Sequence, residues 1–414
     1  MKNSPKKKIC KVNQANIMSL PSMLFKVLLS TFILLGCANH PAKKNLFIVK
    51  NNLNLNRTFE TVVIDLGLLE NSNSSSKGAK GYSIINSLSK EELRSQSIDS
   101  DGDGILDQLL FQPEIKPNSE ATFEVLANDN SSLKDTLAWC FSRFVPERTD
   151  DYAWENNRVA FRTYGPTAQK MVEEHIEGGT LSSGIDAWLK RVDYPIINKW
   201  YAKTISGQGS YHKDTGEGLD NFHVGASRGV GGIAVQADSL YYYSKNFTHW
   251  KTITNGPIRT SFILTYTDWD ANGKIISEIK HISLDYGSNL SKFTIELKGT
   301  PTVSAGLTLH QKEGEISSNI SEGWMSYWEP FEDSELGQGM VVPQEIVLKF
   351  HKYDTEQIDE SNLYAKLKVI NNQVTYYAGF GWKKSGQFKT KEDWNAYLSE
   401  FSKKINSPLE INKL

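Results

Sequence analysis

The sequence predicts a mainly β protein: a small β-sandwich near the front and a large antiparallel β-sandwich behind it, with few helices. Three observations carry this. Apolar and polar residues alternate over many short runs, the period of a strand with one face buried. Turn residues separate the runs, most clearly Asn272-Gly273 and Gly287-Ser288, so neighbouring strands should pair as hairpins. Helical periodicity is confined to residues 167–177, part of 184–202, and 391–404.

In chain order, the first feature is an address. Lys2, Lys6, Lys7, Lys8, Lys11 and Lys26 precede an apolar run over 27–35. That run is too short for a bilayer span, which takes roughly 20 apolar residues, and fits a secretion signal. It ends in Leu34-Leu35-Gly36-Cys37, which resembles the lipobox of bacterial lipoproteins. Residues 1–36 are thus expected to be a lipoprotein signal peptide, Cys37 the acylated first mature residue, and 37–45 a tether. The protein would then be an exported lipoprotein of a Gram-negative bacterium, held at the membrane through Cys37 and facing the periplasm. Cys10 leaves with the signal, so Cys140 stands alone and no intramolecular disulfide is expected. Its apolar neighbours Leu137, Ala138, Trp139 and Phe141 make Cys140 a buried small hydrophobe rather than a nucleophile.

Strands are expected at 46–49, 61–66, 108–112 and 121–126, with a loop over 71–80; they make up a sandwich over 46–135. From Trp139 the alternating runs lengthen, at 158–164, 258–266, 274–284 and 292–297. They imply a second sandwich over 136–405, a supersandwich of the galactose-mutarotase-like kind that binds sugars across a concave sheet.

Charge excludes one class of partner. With 46 Lys and Arg against 48 Asp and Glu, nothing draws the chain to nucleic acid. Aromatic residues reach 11%, including 10 Trp and 17 Tyr, and ring faces of this kind pack well on the apolar faces of sugars.

Three constellations carry chemistry. Asp99, Asp101 and Asp103 alternate, Gly104 takes the sixth place and Asp107 the ninth, as in the first part of a calcium loop. Leu110 stands where an EF-hand has its bidentate Glu, so either a weaker, structural calcium loop or a plain Asp-Gly turn fits. No other cofactor is expected. The second stretch, from Pro146 to Pro166, packs Arg148, Arg158 and Arg162 among four acids, two Tyr and Trp154, a set that burial tolerates only when paired. The third runs from Gly209 to Gly232. Its Tyr211, His212, Glu217, Asp220, His223 and Arg228 supply acid-base groups and an anion clamp on a glycine-punctuated loop.

At these stretches the sequence resembles a bacterial family catalogued as a domain of unknown function, members of which include ulvan oligosaccharide dehydratases. The resembling pieces include Pro146-Glu147-Arg148, Trp154-Glu155-Asn156, Gly165-Pro166, Gly184-Ile185-Asp186-Ala187-Trp188, Tyr211-His212, Gly216-Glu217-Gly218-Leu219-Asp220 and Gly256-Pro257-Ile258-Arg259. The resemblance implies elimination of water from a uronic acid, glucuronic or iduronic, at the non-reducing end of a sulfated oligosaccharide. The product would be a 4,5-unsaturated uronate for a downstream glycuronyl hydrolase. Such a site needs a base at carbon 5, an acid for the departing hydroxyl at carbon 4, and positive charge for the carboxylate. On this reading His212 is the base, Tyr211 the proton donor, and Glu217 or Asp220 orients His212. Arg158 or Arg228 clamps the carboxylate with Asn156 as a further donor, Trp154 and Trp188 are sugar platforms, and His223 contacts substrate. A polysaccharide lyase, a sugar epimerase or mutarotase, and a non-catalytic glycan-binding surface lipoprotein remain alternative readings of the same residues.

Overall fold

The computed structural model describes residues 45–69, 81–128 and 138–414. The expected signal peptide, Cys10, Cys37, the tether up to residue 44 and the loop over 71–80 lie outside these residues. Asn45, at the end of the expected tether, already opens the first strand, Asn45–Lys50.

Phe47 and Val49 alternate inward from that strand, as the sequence period requires. It joins an antiparallel sheet with Glu120–Asn128, Gly81–Asn86 and Glu92–Leu93. A second, three-stranded sheet of Val62–Asp65, Gln108–Phe111 and Ser95–Ile98 covers it. Ile64, Ile84, Leu109, Phe111 and Phe123 fill the space between. The free edge of Asn45–Lys50 is paired by the last strand of the chain, Glu410–Lys413, with Phe47 opposite Lys413 and Lys50 opposite Glu410. An unpaired edge would leave backbone donors and acceptors open. The front sandwich thus needs residues beyond the expected boundary at 405, and the described residues belong to one compact body.

The larger part is built on two facing sheets. One orders Leu240–Tyr242, Val230–Ala237, Thr302–Thr308, Asn362–Lys368 and Val347–Tyr353. The other runs from His249–Thr254 through Arg259–Thr265, Ile275–Asp285, Leu290–Lys298, Gln373–Trp382, Ser334–Val341 and Trp324–Phe331 to Glu315–Asn319. Ile233, Leu307, Phe262, Phe293 and Tyr376 belong to the continuous core between them. Turns fall at Asn272-Gly273 and at Gly287 as expected, each with positive φ.

Three α-helices occur among the described residues: α1 (Pro166–Glu173), α2 (Ile197–Ile205) and α3 (Lys391–Asn406). Within α3's amino-terminal cap, Thr390 Oγ1 accepts from the Asp393 N–H while the Asp393 carboxylate accepts from the Thr390 N–H. The stretch 184–202 is only half helical. Asp186–Lys190 is a strand with all five residues buried, lying between Ala160–Thr163 and Gly218–Leu219. A strand covered on both faces loses the alternation that would distinguish it from helix. Cys140 is buried, its thiol 3.2 Å from the Ile258 carbonyl oxygen, and burial holds its pKa well above the usual thiol value.

Candidate active site

A third sheet orders Gly218–Leu219, Asp186–Lys190, Ala160–Thr163, Asp151–Glu155 and Phe141–Val145. Its register puts Arg162 directly opposite Asp186, a cross-strand pair of opposite charge. The guanidinium lies 2.9 Å (Nε) and 2.5 Å (Nη2) from Asp186 Oδ2, 2.9 Å from Asp220 Oδ2 and 3.5 Å from Asp151 Oδ2. All four side chains are almost fully enclosed. Tyrosines complete the network: Tyr164 donates to Asp186 at 3.3 Å and Tyr201 to Asp151 at 3.0 Å. The Tyr211 hydroxyl oxygen accepts from Arg162 Nη1 at 3.3 Å and from Arg148 Nε at 3.1 Å.

One cation thus faces three carboxylates away from water. Burial pushes Asp151 up to about 6, against the pull of Arg162 and Arg148. Burial also raises Asp186, reinforced by the charge of Asp220, and raises Asp220 itself. Asp186 Oδ1 is buried and meets no hydrogen-bond partner among the described residues. Such a set keeps a carboxyl of the cluster protonated to a higher pH than an exposed aspartate would stay.

His212 closes the network on its solvent side. The Asp220 N–H donates to the Tyr211 carbonyl at 2.8 Å, and His212 Nδ1 lies 2.6 Å from the Asp220 carbonyl, so the loop between them is pinned at its base. On a regular strand adjacent residues would face opposite ways, but 211–213 form a turn, and the Tyr211 and His212 rings lie 4.5 Å apart. Tyr211 is 3% exposed, its ring tilted against Trp188 at 5.0 Å, whereas the His212 side chain is 56% exposed. Gly218 serves packing here. At φ +112°, its missing Cβ would stand 1.9 Å from the Leu189 carbonyl oxygen, so only glycine lets Gly218–Leu219 pair with the neighbouring strand and hold Asp220 in place.

The other residues singled out in the sequence fall elsewhere, and their surroundings correct the expected roles. Glu217 does not orient His212; it binds Tyr194 and Lys199, each at 2.6 Å. Trp154 and Trp188 are fully buried, so neither ring offers a sugar platform; Trp154 Nε1 donates to Ser291 at 3.0 Å. Asn156 is buried too, and by donating to the carbonyls of Asp285 and Ser288 at 2.6 and 2.7 Å it ties its own turn to that neighbouring turn rather than facing solvent. Arg158 sits in the turn that precedes the strand carrying Arg162 and donates to Asn289 at 3.1 Å. Arg228 is buried in the sandwich, bonded to Ser183 and Ala226 with its guanidinium 3.6 Å from the centre of the Tyr243 ring. His223, 69% exposed, pairs with Asp359 at 3.1 Å.

Sequence reading gave no individual site role to Arg148, Asp151, Arg162, Asp186 or Tyr201. The signal was present in the stretch Arg148–Arg162, where acids and arginines cluster on strands destined for burial, but the cross-strand register that pairs them is not written locally. A buried dyad outside this network, His310 Nδ1 with Glu329 at 2.7 Å, has its other ring nitrogen 3.1 Å from the His223 carbonyl and is fully partnered.

Of the calcium-loop residues, Asp99, Asp101 and Asp107 bring carboxylate oxygens within 4.8 Å of one another, and Asp103 stands apart from them. Each also closes its own backbone: Asp99 accepts from Gly102 and Gly104, Asp101 from Asp103, Asp103 from Ile105 and Asp107 from Ser100. That is the bonding of an Asp-Gly turn.

The profile of a family described as a domain of unknown function, DUF4861, matches residues 49–411. The chain belongs to that family. The match takes in most of the front sandwich and the whole candidate site of this DUF4861 protein. A protein of Formosa agariphila named "Uncharacterized protein P7" is 56% identical over 378 residues, 91% of this chain and 95% of that protein. Among solved structures, an Enterococcus faecalis protein in glycosyl hydrolase family 38 superposes with a TM-score of 0.50 at 9% identity, over 91% of this chain. This chain spans about half of that one, 48%, and the likeness is one of fold.

Proposed function

We propose that the protein eliminates water from a uronic acid at the non-reducing end of an anionic oligosaccharide, leaving a 4,5-unsaturated uronate. The observation that supports this reading best is the shared position of Tyr211 and His212, ring to ring at 4.5 Å, against the guanidinium groups of Arg148 and Arg162. His212, with Nδ1 turned to the Asp220 carbonyl, offers Nε2 to take the proton at carbon 5. Arg148, partly exposed where Arg158 and Arg228 are remote, offers positive charge to the substrate carboxylate as the enolate-like charge develops. Tyr211 passes its proton to the hydroxyl leaving carbon 4 and water departs; the Arg148 and Arg162 guanidinium groups hold the resulting phenolate until solvent returns its proton. A carbohydrate ligand is also in keeping with the family-38 name of the solved relative.

The reading includes export as a lipoprotein acylated at Cys37, supported by the Leu34-Leu35-Gly36-Cys37 run. It is tested by incubating the purified protein with saturated, uronate-ended oligosaccharides. Absorbance of a conjugated double bond, with loss of one water and no change of chain length by mass spectrometry, is the expected result. Shortened products would make the protein a lyase, and tight binding without new absorbance would leave a glycan-capturing protein.

A further inference from the structure

At the other end of the strand that carries Arg162, a half-open cavity of ≈ 520 Å³ lies between the front sandwich, the largest sheet and α3. That volume is in the range of small-molecule sites, about 300–1,000 Å³. Its charges are unevenly matched. Arg259 forms a two-pronged pair with Asp285 at 2.6 and 2.7 Å, Glu60 is paired with Arg57, and Glu400 with Lys404. Every lining acid among the described residues therefore has its own cation. Arg158 and Lys292 do not: neither meets a carboxylate within 4.0 Å among the described residues, and both line the cavity. Solvent reaches the Lys292 side chain, yet the cavity walls and the Arg259 guanidinium hold its ammonium below the usual lysine range.

The rim is aromatic. Phe59 adopts φ +55°, in the left-handed region that a bulky residue rarely occupies, and its half-exposed ring faces Arg158 at 6.0 Å. Tyr377 and Tyr397 form further wall. Two cations without a carboxylate partner of their own, one of them facing the Phe59 ring, suit a ligand that joins an anionic group to a flat apolar surface.

We propose that this cavity is a second binding site, separate from Tyr211 and His212, for a saccharide unit bearing a sulfate ester or a carboxylate. The site follows from its residues; the saccharide class rests on the anionic-oligosaccharide reading above. A second subsite of this kind would hold a distal charged unit of a long ligand or a second chain.

The test measures binding by titration calorimetry to the full chain carrying His212→Ala, with a sulfated uronate-containing disaccharide and its desulfated counterpart as probes. Lys292→Met and Arg158→Met are each expected to weaken binding by about 10–100-fold, the loss of a charge-assisted hydrogen bond. Equal affinity for both disaccharides assigns the carboxylate as the recognised group, and preference for the sulfated one assigns the ester. Affinity unchanged in Lys292→Met, or no binding of either probe to the parent, overturns the proposal. Arg158→Met also loses the Asn289 contact, so if its circular dichroism changes, Lys292→Met and Lys292→Glu decide. Turnover is not read, so failure here and failure of the dehydration assay are separate results.

Discussion

The Nδ1 atom of His212 lies 2.6 Å from the carbonyl oxygen of Asp220, and this contact determines which ring nitrogen carries the lone pair. A carbonyl only accepts, so Nδ1 holds the proton and Nε2 is the basic atom. The Asp220 carboxylate, 3.7 Å from the same nitrogen, stands ready to stabilise the imidazolium.

His212→Ala should therefore lower turnover by about 10²–10⁴ with the fold intact, because the side chain is largely exposed. Tyr211→Phe keeps the packing on Trp188 and removes the proton, so its loss should be of similar size. The absorbance assay measures both, and activity within a few-fold of the parent in either would take that residue out of the proton path.

The raised Asp151 pKa has a consequence for stability. Between roughly pH 4 and 6 the folded protein keeps a proton there that the unfolded chain has released. The contribution of this group thus falls as pH rises through that window and is level above it, by about 3 kcal/mol in all. Asp151→Asn does not titrate, so its Tm relative to the parent should climb from pH 4 to pH 7. Parallel Tm curves would show that Asp151 is ionised throughout.

Lys190 and Glu155 are wholly buried and 2.8 Å apart, and Glu155 also accepts from the N–H groups of Ile196 and Ile197 at the start of α2, each at 2.9 Å. Lys190→Met leaves that carboxylate without its cation and should cost about 3–5 kcal/mol. Denaturant unfolding measures this, and a loss below about 1 kcal/mol would mean that the helix-end donors hold the charge by themselves.

Gly218→Ala meets the Leu189 carbonyl oxygen and forces a side chain into a left-handed backbone. Strain of this kind costs about 1–3 kcal/mol, and displacement of Asp220 should lower turnover as well. A lowered Tm with unchanged turnover would separate the strand pairing from the positioning of His212.

The alternation of Asn45–Lys50 and Arg259–Thr265 announces strands because each has one face in a core and one in water. The positive-φ turn at Asn272-Gly273 was legible for a similarly local reason. Asp186–Lys190 was not, since burial on both faces erases the period. The closing strand Glu410–Lys413 escaped because its partner is at the far end of the chain.

The sequence by itself determined a β-rich architecture, the family, and a loop in which Tyr211 and His212 are neighbours by covalent bond. Only tertiary structure decided their company. It set Arg162 against Asp186, Asp151 and Asp220, drew Arg148 to the Tyr211 hydroxyl, and carried Arg158 to the cavity beside α3. The physical reason is that a buried charge is stable only beside its counter-charges, and cross-strand register and strand length, which no local pattern encodes, decide which charges meet.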